Sequence, residues 1–297
     1  MNHQKLWDCV TKISLFSAEE IAAFFKEVLK KGKVWTDARA NIHYQSEAAA
    51  KVQLFFRLTP RGFMTGGTEG GAPSFLGTDQ PEEFLNAMFY EDGREAGVLR
   101  KNKEGICPEP FKDTKLNPGI VYSLSRDALC KEDELYSTDA ASYAMVYLAV
   151  TLAQAAEEND KPIRLCLWNS SLSGEGGILE AFRASDANYG ILTAPVLAGD
   201  AAESGKGVCR VAKDGCFVEP AGMRKTMDQI LGGSDFCAAP FVGKTDRSME
   251  YLSIAKNAQG TTGFYLPVEH QNTRMQKINL ADVEKTRNCL LKIISEL

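Results

Sequence analysis

Histidine is scarce in this chain: His3, His43 and His270 are the only three in 297 residues. His3 sits near the start and His43 follows Ile42 in a strand-like run, so a Ser-His-Asp arrangement has only His270 to draw on. The nucleophile turn Gly-x-Ser-x-Gly is missing too, because position 171 is serine where its first glycine should stand. No Cys-x-x-Cys occurs. The eight cysteines (Cys9, Cys107, Cys130, Cys166, Cys209, Cys216, Cys237 and Cys289) are scattered, several in apolar runs such as Leu165-Cys166-Leu167, and none adjoins a histidine. That usage reads as reduced thiols packed in a cytosolic protein. There is no basic excess: 34 Lys and Arg face 39 Asp and Glu, for a net charge of −5. No basic stripe reverses that balance, which excludes nucleic acid and anionic membranes as partners. No apolar run is long enough to span a bilayer. The longest, residues 140–156, is broken by Ser142, Thr151 and Gln154 and runs into Glu157, Glu158 and Asp160. It falls short of the ~20 residues a membrane helix needs and reads as a buried helix. Residues 1–16 carry Asp8 and Lys12 and no signal-peptide core, so the expected location is the cytoplasm. The glycine-rich stretch 66–77 has no lysine of a phosphate loop and reads as a hinge.

What is present is globular: 44% hydrophobic and 25% charged residues, with length enough for a large core. Ser17-Ala-Glu-Glu20 is a capping box that opens a helix to about residue 31, with Ile21, Phe24, Phe25 and Val28 on one face. Residues 42–44 and 52–56 read as strands. From 66 to 135 the texture turns rich in glycine, proline and short β-like pieces, which marks an inserted unit. Beyond 136 the pattern is α/β. Helices are expected over 140–157, 177–183, 223–231 and 246–257, with a last one capped by Asn279; strands are expected over 163–168, 189–197 and 264–267. Pro195 argues against a central ladder position at the end of 189–197. Strands alternating with helices imply a mostly parallel sheet covered on both faces.

Several segments, in the right order, resemble one family. They are Asp37-Ala-Arg-Ala-Asn41-Ile42; the strand from Val52 that ends Gly62-Phe63-Met64; and Gly174-Glu175-Gly-Gly-Ile-Leu-Glu-Ala181. Leu197-Ala-Gly-Asp200 with Gly205-Lys-Gly207, Gly243-Lys-Thr-Asp246 and Asp282-Val-Glu284 complete the series. Together they resemble the cytosolic dinuclear zinc aminopeptidases that include glutamyl aminopeptidase and the tetrahedral aminopeptidases. The resemblance implies a zinc-peptidase-like α/β three-layer sandwich of residues 1–65 and 136–297, with 66–135 as a small inserted β-rich domain. It also implies a small peptide or amino-acid-like ligand and a homo-oligomer, although the insertion through which family members assemble is short here.

The family's chemistry uses five protein ligands around two zinc ions and a glutamate base. Carried over by position, its His-x-Asp falls on Arg57 and Thr59, and its bridging aspartate on Thr138 or Asp139. The base falls on Gly174, the neighbouring ligand on Glu175, a further aspartate on Ala194, and the last histidine on Asn272, two residues from His270. Threonine, alanine and asparagine are poor zinc ligands and arginine is always charged. The expectation is therefore a divergent member with no metal site and no cofactor. Its pocket would be lined by Arg57, Thr59, Asp139, Gly174, Glu175, Ala194, His270 and Asn272. The leading reading is a non-catalytic relative that keeps the fold for binding or assembly. The alternatives are a hydrolase of peptides or amino-acid derivatives working through Glu175, Asp139 and His270, and a structural or regulatory subunit of an active relative. Arg57 carries the sharpest expectation: its guanidinium should lie where a metal would sit and pair with Glu175, Asp139 or both.

Overall fold

In the computed structural model the structure describes residues 3–66, 73–103, 105–124, 128–199, 202–237, 240–244, 247–255 and 260–297. The central sheet runs, in spatial order, Lys33–Thr36, Ile42–Gln45, Arg164–Asn169, Val52–Leu58, Tyr189–Leu197, Thr261–Val268, Cys209–Asp214 and Phe217–Val218, with Phe241–Gly243 also on Cys209–Asp214. The four strands in the middle, Arg164–Asn169 to Thr261–Val268, are parallel to their neighbours within that set. They are apolar on both faces, as a sheet sandwiched between helices requires. Along Val52–Leu58 the alternation is explicit. Leu54, Phe56 and Leu58 point into a core shared with helices Ala18–Val28, Ala140–Glu158 and Leu280–Glu296, whereas Phe55 points to a second core with helices Gly176–Arg183 and Ser248–Ala255. This is the expected three-layer α/β sandwich.

Helix Ala140–Glu158 is buried nearly all round, which explains its uniformly apolar sequence. Helix His3–Val10, absent from the sequence reading, lies against it: Leu6, Trp7 and Val10 are buried and Trp7 stacks on Tyr147 at 3.9 Å. The caps behave as their residue types dictate. Ser17 accepts from the Glu20 amide and Asn279 from the Ala281 amide, although the Glu20 carboxylate reaches the Ser14 amide instead of closing the box on Ser17. Pro195 does lie in a central strand. Pairing with Val52–Leu58 stops at Thr193, so the proline stands where that flank of the ladder has ended.

A separate six-stranded sheet, in order Ser74–Leu76, Gly62–Met64, Val121–Ser123, Met88–Glu91, Arg94–Asn102 and Gly105–Pro110, has its own core around Phe63, Phe84, Phe89 and Tyr122. The boundary expected at 65 follows directly on a strand of the small sheet, and that at 136 falls inside a strand. Gly62–Met64 already belongs to the small sheet, and the hairpin Ala128–Lys131 with Glu134–Ser137 pairs with Gln276–Asn279 in a third sheet. The change in composition follows local turn chemistry, whereas the sheet edges are set by long-range pairing.

Candidate functional site

The carboxyl ends of the parallel strands converge on a cleft of about 680 Å³ that also borders the small sheet. Such a crevice is where ligands bind in parallel α/β sheets. Its floor includes Arg57 and Thr59, which follow one another down the end of Val52–Leu58, and Ser170 and Ser171, which open the short helix Ser170–Ser173. Gln271, Asn272 and Lys244 also line it, together with Phe75 to Asp79.

Arg57 is partly buried. Its Nε donates to Ser170 Oγ at 3.1 Å, its Nη2 stands 3.7 Å from Glu175 Oε1, and its guanidinium carbon lies 5.6 Å from the Trp168 ring centroid. The 3.7 Å contact is an ion pair beyond hydrogen-bond length, and the stacking on indole adds a cation–π attraction. Burial lowers the Arg57 pKa, opposed by Glu175 and then by Tyr265 and Asp214, and the guanidinium stays charged. Trp168 also fixes the next element, since its Nε1 donates to the Gly174 carbonyl at 2.8 Å. Glu175, at the start of Gly176–Arg183, does not cap that helix with its side chain; its Oε2 accepts from Ser248 Oγ at 2.9 Å.

Asp139 is not paired with Arg57. Its carboxylate is 1% exposed and its Oδ1 accepts from the Arg61 amide at 3.0 Å and lies 3.8 Å from Arg61 Nη1. Arg61, 3% exposed, donates further to the backbone carbonyls of Thr138 and Gln271. Burial pulls the Arg61 pKa down and Asp139 opposes it. Arg61 is the residue that sequence reasoning missed. Its only signal was a second arginine four residues after Arg57, just beyond the end of the same strand. Two carboxylates of the expected pocket are thus each matched by a guanidinium, Glu175 by Arg57 and Asp139 by Arg61.

The other expected positions divide. Arg57, Thr59 and Asn272 line the cleft, and Glu175 stands behind Arg57. Asp139 borders a different hollow, of about 670 Å³, under residues 11–20. Ala194 is fully buried within its strand, and Gly174 faces Trp168. His270 is exposed at a turn with φ +56°, where its carbonyl accepts from Thr273, and it is not among the cleft-lining residues. Counting back from Asp282 along the chain cannot tell which residues of this loop turn toward the cleft. Asp200, Thr245 and Asp246 lie outside the described residues.

Gly174 has φ +56° and ψ −163°, a conformation essentially reserved to glycine. There is open space for a side chain, so it is the backbone alone that disfavours any other residue at this position. Among the described residues no group of three or more His, Cys, Asp or Glu side chains could hold a metal ion, and no helix is long and apolar enough to cross a membrane.

No family model matches the sequence, and no curated protein matches it. Solved structures do. The Pyrococcus horikoshii TET1 peptidase, which can assemble into a tetrahedron or a large octahedral shell, superposes with TM-score 0.80 at 12% identity over 100% of both chains. A TET aminopeptidase from a marine sediment thaumarchaeon gives TM-score 0.80 at 9% identity, covering 99% of this chain and 96% of that one. An aminopeptidase from Desulfurococcus kamchatkensis gives 0.80 at 13% identity, covering 99% and 95%. The chain therefore has the TET aminopeptidase fold, a zinc-peptidase-like α/β sandwich with an extra β domain.

Proposed function

We propose that this chain keeps an aminopeptidase-like fold to bind a small peptide or amino-acid-like ligand and does not cleave it by metal catalysis. The observation that carries the reading is the Arg57–Glu175 pair at 3.7 Å. A fixed positive charge stands beside the carboxylate that the resemblance assigns to a metal, and it would repel a divalent cation arriving there. Zinc does not fit the remaining donors: one Glu175 oxygen is engaged by Ser248, Asp139 by Arg61, and Thr59, Ala194 and Asn272 are no substitutes for carboxylate or imidazole. Without a water-activating metal and a base at Gly174, hydrolysis loses its two largest contributions.

The cleft suits binding. Arg57 with Lys244 and the hydroxyl of Thr59 offer a ligand carboxylate charge-assisted hydrogen bonds, while Ser170 and Ser171 already donate to the Leu58 and Pro60 carbonyls, and exposed Asp79 offers a site for its amine. Homo-oligomeric assembly and a cytoplasmic location belong to the same proposal, as properties carried over from the resemblance.

Two measurements test it. Turnover of aminoacyl-anilides, with zinc or cobalt added, is expected to stay at the blank; chelator-sensitive turnover of ordinary enzymatic size would overturn the reading. Titration calorimetry against free amino acids and dipeptides should find a ligand whose affinity falls about tenfold to a hundredfold in Arg57→Gln, the worth of one hydrogen bond to a charged group. Affinity unchanged by that substitution would place the ligand elsewhere.

A further inference from the structure

Of the eight cysteines, two from distant parts of the chain meet. Cys289, fully buried on helix Leu280–Glu296, and Cys237, partly buried in the segment after helix Ala221–Leu231, hold their sulfurs 3.9 Å apart. Both backbones are anchored. Asp282, on the same helix as Cys289, accepts from the amides of Gly205 and Gly207 at 2.7 Å each, and the adjoining Val208 bridges to Cys237 in parallel register. A third thiol, Cys209, lies on the neighbouring strand Cys209–Asp214, where burial first, then Cys237 and Asp282, pushes its pKa up to about 11. The three are not placed to hold a metal ion.

We propose that Cys237 and Cys289 are an oxidative modification site, closing to a disulfide in the presence of a peroxide. Cys237 is the attacking sulfur, because it is the more exposed of the two and its sulfur is in contact with the Cys289 thiol. That contact lowers its pKa against burial, with help from Arg210, while Cys289 is held protonated. The Cys237 thiolate attacks one peroxide oxygen, the O–O bond breaks, and the departing hydroxide takes up a proton as water, leaving a sulfenic acid on Cys237. Cys289 sulfur then attacks Cys237 sulfur. The S–S bond forms, the S–O bond breaks, and the leaving hydroxyl takes the Cys289 proton as a second water. Two thiols lose two electrons and one peroxide becomes two waters. The sulfurs need to approach by about 1.9 Å to reach bonding distance, a movement for which the partly exposed Cys237 side chain is the freer partner. The closed bridge ties the segment ahead of the sheet-edge strand Phe241–Gly243 to the C-terminal helix.

The test is peroxide treatment of the full-length native protein, thiol blocking, digestion without reductant, and mass spectrometry. The expected product is a peptide pair joining Cys237 to Cys289, lighter by two hydrogens and separated by dithiothreitol. Cys237→Ser should abolish it, and Cys289→Ser should leave a Cys237 sulfenic acid that dimedone traps. Should Cys289→Ser fail to fold, dimedone added during oxidation of the wild-type chain must label Cys237 ahead of the other cysteines. A Cys209–Cys237 link, oxidation confined to exposed Cys216, or over-oxidation of Cys237 with no cross-link would overturn the proposal.

Discussion

Replacing Arg61 with methionine isolates the more deeply buried of the two ion pairs. The side chains of Arg61 and Asp139 are 3% and 1% exposed, so removing the guanidinium takes the opposing fixed charge away from a carboxylate that water barely reaches. The backbone amide of Arg61 still donates to Asp139 in the variant, and the lost partners are the guanidinium and its bonds to the Thr138 and Gln271 carbonyls. Breaking one side of a buried pair costs about 3–5 kcal/mol, a large share of the ~5–15 kcal/mol that holds a typical protein folded. The companion change Asp139→Asn keeps an acceptor for the Arg61 amide and removes the carboxylate charge. The double variant should therefore be more stable than Arg61→Met alone, with a coupling of about 1–3 kcal/mol in the mutant cycle. Urea unfolding followed by tryptophan emission reads the correct part of the molecule, because Trp7, Trp35 and Trp168 all lie outside the small six-stranded sheet. A loss below about 1 kcal/mol in the single variant, or a double variant no better than the single, would show that the pair carries no buried charge.

Acid should weaken the fold through a second pair. Burial lowers the His43 pKa against the opposing Asp37, and Asp37 itself, which burial alone would raise, is brought below its usual value chiefly by hydrogen bonds from His43 and Asn41. Both groups bind protons more readily in the unfolded chain, so stability should decline as pH falls below about 6.5 and again near the ordinary carboxylate range. His43→Gln should flatten the first decline in denaturation midpoints collected from pH 8 to 5, and an unaltered slope would refute the assignment. Gly174→Glu, which places a glutamate where the sequence resemblance would put a base, should destabilise by about 1–3 kcal/mol through its backbone and gain no peptidase turnover; a stable, active variant would contradict the geometry described at that position.

Local signals were readable and long-range ones were not. Ser17 and Asn279 announce their helices because an N-cap acts on amides two or three residues away. Helix His3–Val10 escapes notice because it is short and polar and is held by Trp7 stacking on Tyr147, a contact that no local pattern encodes. At the site, order along the chain brought Arg57 and Glu175 into one frame, and the structure sets them 3.7 Å apart. The partner of Asp139 was invisible for the opposite reason: Arg61 lies 78 residues upstream and joins it only once the strand end and the buried helix are docked. His270 is exposed while its neighbours Gln271 and Asn272 line the cleft, because residues in one loop share a position along the chain and not a direction in space.

The three-stranded sheet has a consequence for how the molecule assembles in time. Its middle strand, Glu134–Ser137, leaves the inserted unit and is completed by Gln276–Asn279; Lys277 reaches Glu134 across 143 residues of chain. Leu135 and Ile278, opposite each other in that pairing, are both fully buried. A ribosome therefore emits the hairpin long before its covering strand, and the apolar face of Leu135 waits for nearly half the chain to follow. Such late, non-local closure slows folding and leaves an open strand edge exposed meanwhile. The small six-stranded sheet, whose partners all come from residues 62–123, can close early and alone. Gln276–Asn279 and the helix that follows it thus act as the latch on a hairpin made much earlier in the chain.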